Sequence, residues 1–153
     1  MHPYFDIHHQ VDSEEIDGQG HVHNLRYLAW TLRAAGRHSA ALGWDADHML
    51  SEFGCGWVVR SHEITYRNAA FRDEQLVIRT WISDVSKHAA TRRCVICRPA
   101  DQAVLARVAT RWVMVDLRIR KAISIPAEVL SRMETLKSSP PLPWIPHSQS
   151  ELQ

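Results

Sequence analysis

Neither sign of charge predominates in this chain, and no stretch of it is a long apolar run. Eighteen Lys and Arg stand against 17 Asp and Glu, a formal charge of +1 with His neutral. That leaves out the strong basic field by which proteins gather on nucleic acid or anionic membrane surfaces. No run approaches the roughly 20 apolar residues of a membrane-spanning helix, and the polar N-terminus lacks the apolar core of a signal peptide. The expectation is a soluble, cytoplasmic protein with neither nucleic acid nor membrane as partner. Cysteine is scarce, with three residues, an odd number without disulfide-framework spacing. Two of them, in Cys94-Val95-Ile96-Cys97, sit in a β-rich run, where an offset of three puts the side chains on opposite faces. They read as packing residues rather than a chelate or redox pair. Glycine is also sparse, six in 153 residues, yet Gly18 and Gly20 fall two positions apart.

What is present is an ordinary globular composition, 45% hydrophobic and 23% charged, in a length most simply read as one domain. Six tryptophans are many for this size, and Trp30, Trp57, Trp81 and Trp112 fall within regular patterns that suit core or interface packing.

The organisation changes once along the chain. Phe5 to Val11 reads as a strand, followed by a polar loop from Asp12 to Gly20. From Asn24 to about Leu42, the positions Leu25, Leu28, Ala29, Leu32, Ala35, Gly36, Ser39 and Ala40 keep a helical period. Asn24 suits the N-cap and Gly43 the C-terminal stop. Small residues such as Ala34, Ala35 and Gly36 would let a sheet close around that helix. After a link through Phe53 to Gly56, four runs rich in β-branched and aromatic residues follow: Trp57 to Tyr66, Gln75 to Ser83, Ala90 to Arg98, and Ala103 to Asp116. A short strand at Ala122 to Ile125 and a helix from Pro126 to about Leu136 complete the domain, taken as residues 1–137. The segment 138–153 holds four prolines and reads as an extended or disordered tail. One long helix and one antiparallel sheet must bury each other, which makes an α+β two-layer domain.

The most informative stretch is Asp17-Gly18-Gln19-Gly20-His21-Val22-His23-Asn24-Leu25-Arg26-Tyr27-Leu28-Ala29-Trp30. It sets a carboxylate, a histidine and an asparagine directly before a helix. A helix start carries unpaired N–H groups and the positive end of the macrodipole, so it can hold a developing oxyanion. A carboxylate base or nucleophile beside such donors is what acyl transfer requires. The rival reading is a metal site from His21 and His23 with His8, His9 or Asp17, but no third ligand stands at a recognisable spacing.

The pattern Asp-x-x-Gly-His-Val-x-Asn-x-x-Tyr-Leu-x-Trp resembles the signature of hotdog-fold thioesterases, in the 4-hydroxybenzoyl-CoA thioesterase-like branch and the related acyl-ACP thioesterases. Tyr66 to Leu76 is similar to the family's turn between the second and third strands, with Asn68 and Ala69 where proline is common and Arg72 where glycine is. The resemblance implies a hotdog fold, an antiparallel sheet wrapped around one long helix. It implies thioester hydrolysis with Asp17 as base or nucleophile, His21 and Gln19 assisting, and main-chain N–H groups from Val22 to Asn24 as the oxyanion hole. His23 is expected to point to solvent. Tyr27 would line the acyl pocket or the core, Glu63 would reach a partner's site, and Lys87, His88, Arg92 and Arg93 would meet coenzyme A phosphates. The implied substrate is an acyl-CoA or acyl carrier protein thioester, with no metal or redox cofactor, in a homodimer or homotetramer. A hotdog hydratase and a non-catalytic acyl-CoA-binding module are the alternatives.

Overall fold

The computed structural model describes residues 3–146. Strand β1 (Tyr4–Gln10) leads through a single 3-10 turn (Ser13–Glu15) into helix α1 (Asn24–Ala41). A second helix, α2 (Ala46–Phe53), precedes β2 (Cys55–Tyr66), β3 (Gln75–Val85), β4 (Ala89–Arg98), β5 (Ala103–Asp116), the two-residue β6 (Lys121–Ala122) and α3 (Ala127–Leu130). The strands form one antiparallel sheet in the order β1-β3-β4-β5-β2, with β6 on the end of β5. This is the α+β hotdog arrangement, with α1 lying against the inner face of the curled sheet.

The sheet takes the aromatic side of α1. Tyr27, Trp30, Thr31, Ala34, Ala35 and His38 are its buried residues. The apolar stripe through Leu25 and Leu32 does not enter that core: Leu25 is 62% and Leu32 39% exposed. Two competing faces explain this difference from the sequence period, since the ring-bearing face has more apolar area to bury. Tyr27 and Trp30 pack with Ile7, Ile78, Ile96 and Val108 in the main core cluster. A second cluster of Met49, Cys55, Met114, Ile125 and Val129 lies toward the other end of the sheet.

Other boundaries also move. Helix α2 was not expected from the sequence, yet it has clear end signals: the Asp45 side chain accepts from the His48 amide, and Gly54 closes the helix at φ 63°. The expected helix to Leu136 stops at Leu130. Beyond it, Leu136, Leu142 and Trp144 pack on Trp81, Val95 and Cys97 on the outer face. Arg79 fixes this strap, chelating Asp6 at 2.8 Å through two nitrogens and donating to the Pro141 carbonyl. The part of the expected tail at 147–153 lies outside the described residues. Cys94 joins the inner cluster and Cys97 the outer one, and both are free thiols.

Candidate active site

The loop between the 3-10 turn and α1 is built around a buried carboxylate. Glu15 is 5% exposed and receives hydrogen bonds from His9 Nε2 at 2.6 Å, Trp30 Nε1 at 2.7 Å and the Asp12 amide at 3.1 Å. Arg33 donates to His9 Nδ1 at 2.9 Å, which makes Nε2 the protonated nitrogen facing Glu15. Burial pushes the Glu15 carboxyl up, but the bonds from His9, Asp12 and Trp30 outweigh it and hold the group below its ordinary value. The Glu15 carbonyl also takes the His23 amide at 2.9 Å, so one residue ties β1, the loop and α1 together. Its signal in the sequence was the Asp12-x-x-Glu15 capping box, which is present in full.

On that anchor the Asp17 loop closes as a tight turn. The Asp17 amide donates to the His21 carbonyl at 2.9 Å and the Gly20 amide to the Asp17 carbonyl at 3.1 Å. Gly20 stands at φ 88°, a left-handed conformation that requires glycine there and not at Gly18. The turn brings Asp17, Gln19 and His21 together. Asp17 Oδ1 accepts from the Gln19 amide at 2.8 Å, and Oδ2 lies 3.7 Å from His21 Nδ1. His21 Nε2 meets Gln19 Oε1 at 3.0 Å, while Nδ1 also reaches the Val22 carbonyl at 3.2 Å. Gln19 can serve either protonation state of the ring, accepting through oxygen or, with its amide turned over, donating through nitrogen. The Asp17 and His21 side chains are 22% and 36% exposed, open enough to meet a substrate.

The helix start corrects three expectations. Val22 is buried and its amide is used by the Ala70 carbonyl at 2.9 Å, so neither Val22 nor His23, bonded to Glu15, offers a free N–H. Asn24 is not the cap: His23 is, accepting from the Leu25 amide through Nδ1 at 3.1 Å. Asn24 is the first helical residue, and among the described residues its amide meets no acceptor. One open main-chain donor therefore remains at the positive end of an 18-residue helix, seven residues after Asp17 in the chain. Its carbonyl accepts from the Tyr66 hydroxyl at 2.9 Å, which pins the end of β2 beside the helix start.

The remaining expected residues disperse. Tyr27 is 3% exposed and its hydroxyl accepts from the Ala70 amide at 3.0 Å, so it braces the core rather than a ligand. Glu63 stands in one row with Ala109 and Arg93 on the outer face, away from α1, because strand alternation carries it opposite the inward His62. Lys87 and His88 are exposed in the β3–β4 turn at the far end of the sheet from Asp17. Arg93 bonds Ser83 on the outer face. Arg92 does not reach solvent phosphates at all: it is 7% exposed and donates to His38 Nδ1 at 2.8 Å and Thr80 Oγ1 at 3.2 Å.

An apolar cavity of about 200 Å³ lies between α1, α2, the sheet and α3. Leu32, Gly36, Trp44, Trp57 and Trp112 line it, so the stripe of α1 left out of the core serves as its wall. The size suits an acyl group, not a whole nucleotide. Its α1 residues begin eight positions after Asn24, roughly 12 Å along the helix at 1.5 Å per residue.

Comparison with known proteins bears on this geometry. The family model for the acyl-ACP thioesterase N-terminal domain matches residues 3–133. The acyl-CoA thioesterase YbgC of Haemophilus influenzae is 27% identical over 128 residues, covering 84% of this chain and 93% of the relative. The long-chain acyl-CoA thioesterase FadM of Escherichia coli is 24% identical over 83% of this chain and 95% of its own length. Among solved structures, the 1,4-dihydroxy-2-naphthoyl-CoA thioesterase Slr0204 of Synechocystis superposes with a TM-score of 0.79 at 20% identity, covering 85% of this chain and 95% of that one.

Proposed function

Since the chain belongs to the acyl-ACP thioesterase family, we propose that it is a thioester hydrolase acting on acyl-CoA, with Asp17 as its central catalytic group. The observation that carries the assignment is the accessible Asp17 carboxylate, in a turn that leads through His21 directly to the α1 start and its one open amide. A thioester carbonyl placed between them would direct its oxygen to the Asn24 N–H, where the helix end stabilises the negative charge of the tetrahedral intermediate. Asp17 either attacks the carbonyl carbon, giving an acyl anhydride that water then cleaves, or takes a proton from the attacking water. Coenzyme A leaves as a thiolate and needs no strong acid. His21, held by Gln19 at 3.0 Å, keeps a proton carrier 3.7 Å from Asp17.

A dimer brings the dispersed parts together. Strand β2 is a sheet edge with Val58 41% exposed, a template for pairing with a second copy. Trp57, at one end of β2, lines the cavity, and Tyr66, at the other, bonds the helix start. Antiparallel pairing of β2 with itself about its middle sets one protomer's cavity beside the other's Asp17. The same symmetry moves the exposed Lys87 and His88 turn, at the cavity end of the sheet, toward the partner's Asp17, where the coenzyme's phosphates can meet it. Release of free thiol from short, long and aromatic acyl-CoAs, and from a carrier-protein thioester, tests the activity. Wild type should turn over at least one class and Asp17→Asn should lose about a hundredfold or more. Equal rates for both proteins would remove Asp17 from the mechanism.

A further inference from the structure

Between the two apolar clusters one row of the inner face carries polar side chains. Strand register places Ile82, Arg92, Thr110 and His62 in one row, and Ala90, Trp112 and Val59 in the next. His62 Nδ1 pairs with Thr110 Oγ1 at 2.8 Å, which closes that end of the row. Arg92 is different. It carries a full charge at 7% exposure, and its partners are the neutral Thr80 hydroxyl and His38 ring. Burial and the neighbouring guanidinium hold His38 down at about 4, so near neutral pH the ring is neutral and meets Arg92 through an accepting Nδ1. Among the described residues no carboxylate stands within ion-pair distance of Arg92.

A buried cation without a counter-charge is costly, and proteins normally pair it. Here only one guanidinium nitrogen, Nη1, has partners among the described residues, and the residue borders the apolar cavity. Trp112, in the adjoining row and also on the cavity wall, has a buried indole N–H with no acceptor. A cavity made for a plain hydrocarbon would gain nothing from a guanidinium on its wall.

We propose that the cavity takes the acyl portion of the thioester and that Arg92 binds an anionic oxygen at the far end of that acyl group. The preferred substrate class is then a CoA thioester of a dicarboxylic acid, bound through its free carboxylate. Arg92 is here a specificity-determining residue, remote from the thioester. The inference rests on the thioesterase reading, but its test does not need turnover. Calorimetric titration of wild-type protein with two non-hydrolysable thioethers, S-octyl-CoA and S-carboxyheptyl-CoA, compares a methyl with a carboxylate at the same place. The carboxylate ligand should bind at least about tenfold tighter, as a charge-assisted bond allows. Arg92→Met should bring the two ligands to parity, and Arg92→Lys, which keeps the charge if the larger change prevents folding, should retain part of the preference. Equal binding by wild type, or a preference for S-octyl-CoA, overturns the proposal even if simple acyl-CoAs are hydrolysed. A carboxylate preference without hydrolysis of any thioester would sustain it and remove the enzymatic reading instead.

Discussion

Acidification should weaken the fold through His38 from about pH 6.5 downward, before the carboxylates titrate. The ring is 7% exposed, stacks on Phe5 at 5.3 Å between centroids, and accepts from Arg92 at 2.8 Å. A proton on Nδ1 would both lose that bond and set two buried cations against each other. With the folded value near 4 and the unfolded value near 6.5, the unfolded chain binds the proton first as pH falls. Stability therefore rises with pH across that window and is lost on acidification. Between about pH 7.5 and about pH 5.0 the loss from this one group comes to about 2 kcal/mol, by linkage at 1.36 kcal/mol per unit. Urea unfolding at the two pH values, for wild type and His38→Asn, isolates the effect. The variant is less stable at the higher pH, but its stability should fall by about 2 kcal/mol less than that of wild type on acidification. If both proteins lose stability in parallel over that range, His38 titrates as an ordinary histidine and is not held neutral against Arg92.

Other consequences follow from the same residues. Glu15→Gln should destabilise the fold by about 2 kcal/mol in urea at neutral pH, because a charged acceptor of three hydrogen bonds is lost. It should also flatten the acid limb, since a carboxyl held low contributes stability that is present above its unfolded value and lost as pH falls through the folded one. Gly20→Ala should cost about 1 kcal/mol and reduce thioester turnover by distorting the Asp17 turn, whereas Gly18→Ala should stay within about 0.5 kcal/mol on the same unfolding curves. Burial lifts the Cys94 thiol to about 12 and Cys97 to about 11. Neither should react with iodoacetamide in the folded protein at neutral pH, and both should react in urea, as mass spectrometry would show.

The helix, the four long strands and the Asp17 turn were legible because each depends on local pattern: a period, β-branched runs, closely spaced glycines ahead of a helix. What was not legible depended on choices made in three dimensions. Helix α1 carries two faces that could be buried, and only packing decided that Tyr27 and Trp30 enter the core while Leu32 and Gly36 line a cavity. Arg92 read as a surface cation because arginine usually is one. Its inward direction follows from strand register, which a run of apolar and charged residues does not reveal. The open amides at the helix start narrow to that of Asn24 because Val22 and His23 give theirs to distant carbonyls, at Ala70 and Glu15. Helix α2 is a different case: Asp45 and Gly54 stood at its ends, and the signal was there to read.

Mixing two inactive variants tests the composite site most directly. Asp17→Asn removes the carboxylate, and Gly36→Trp fills the cavity from an exposed helix position where an added Cβ meets no atom within 4 Å. In a mixed dimer, one site would join an intact Asp17 from one protomer to an intact cavity from the other. Co-refolded in equal amounts, the two should recover about a quarter of wild-type thiol release, since about half of the dimers are mixed and each has one whole site. If the mixture stays as inactive as its components while sedimentation shows mixed dimers, Asp17 and the cavity do not meet across the seam, and the account is wrong.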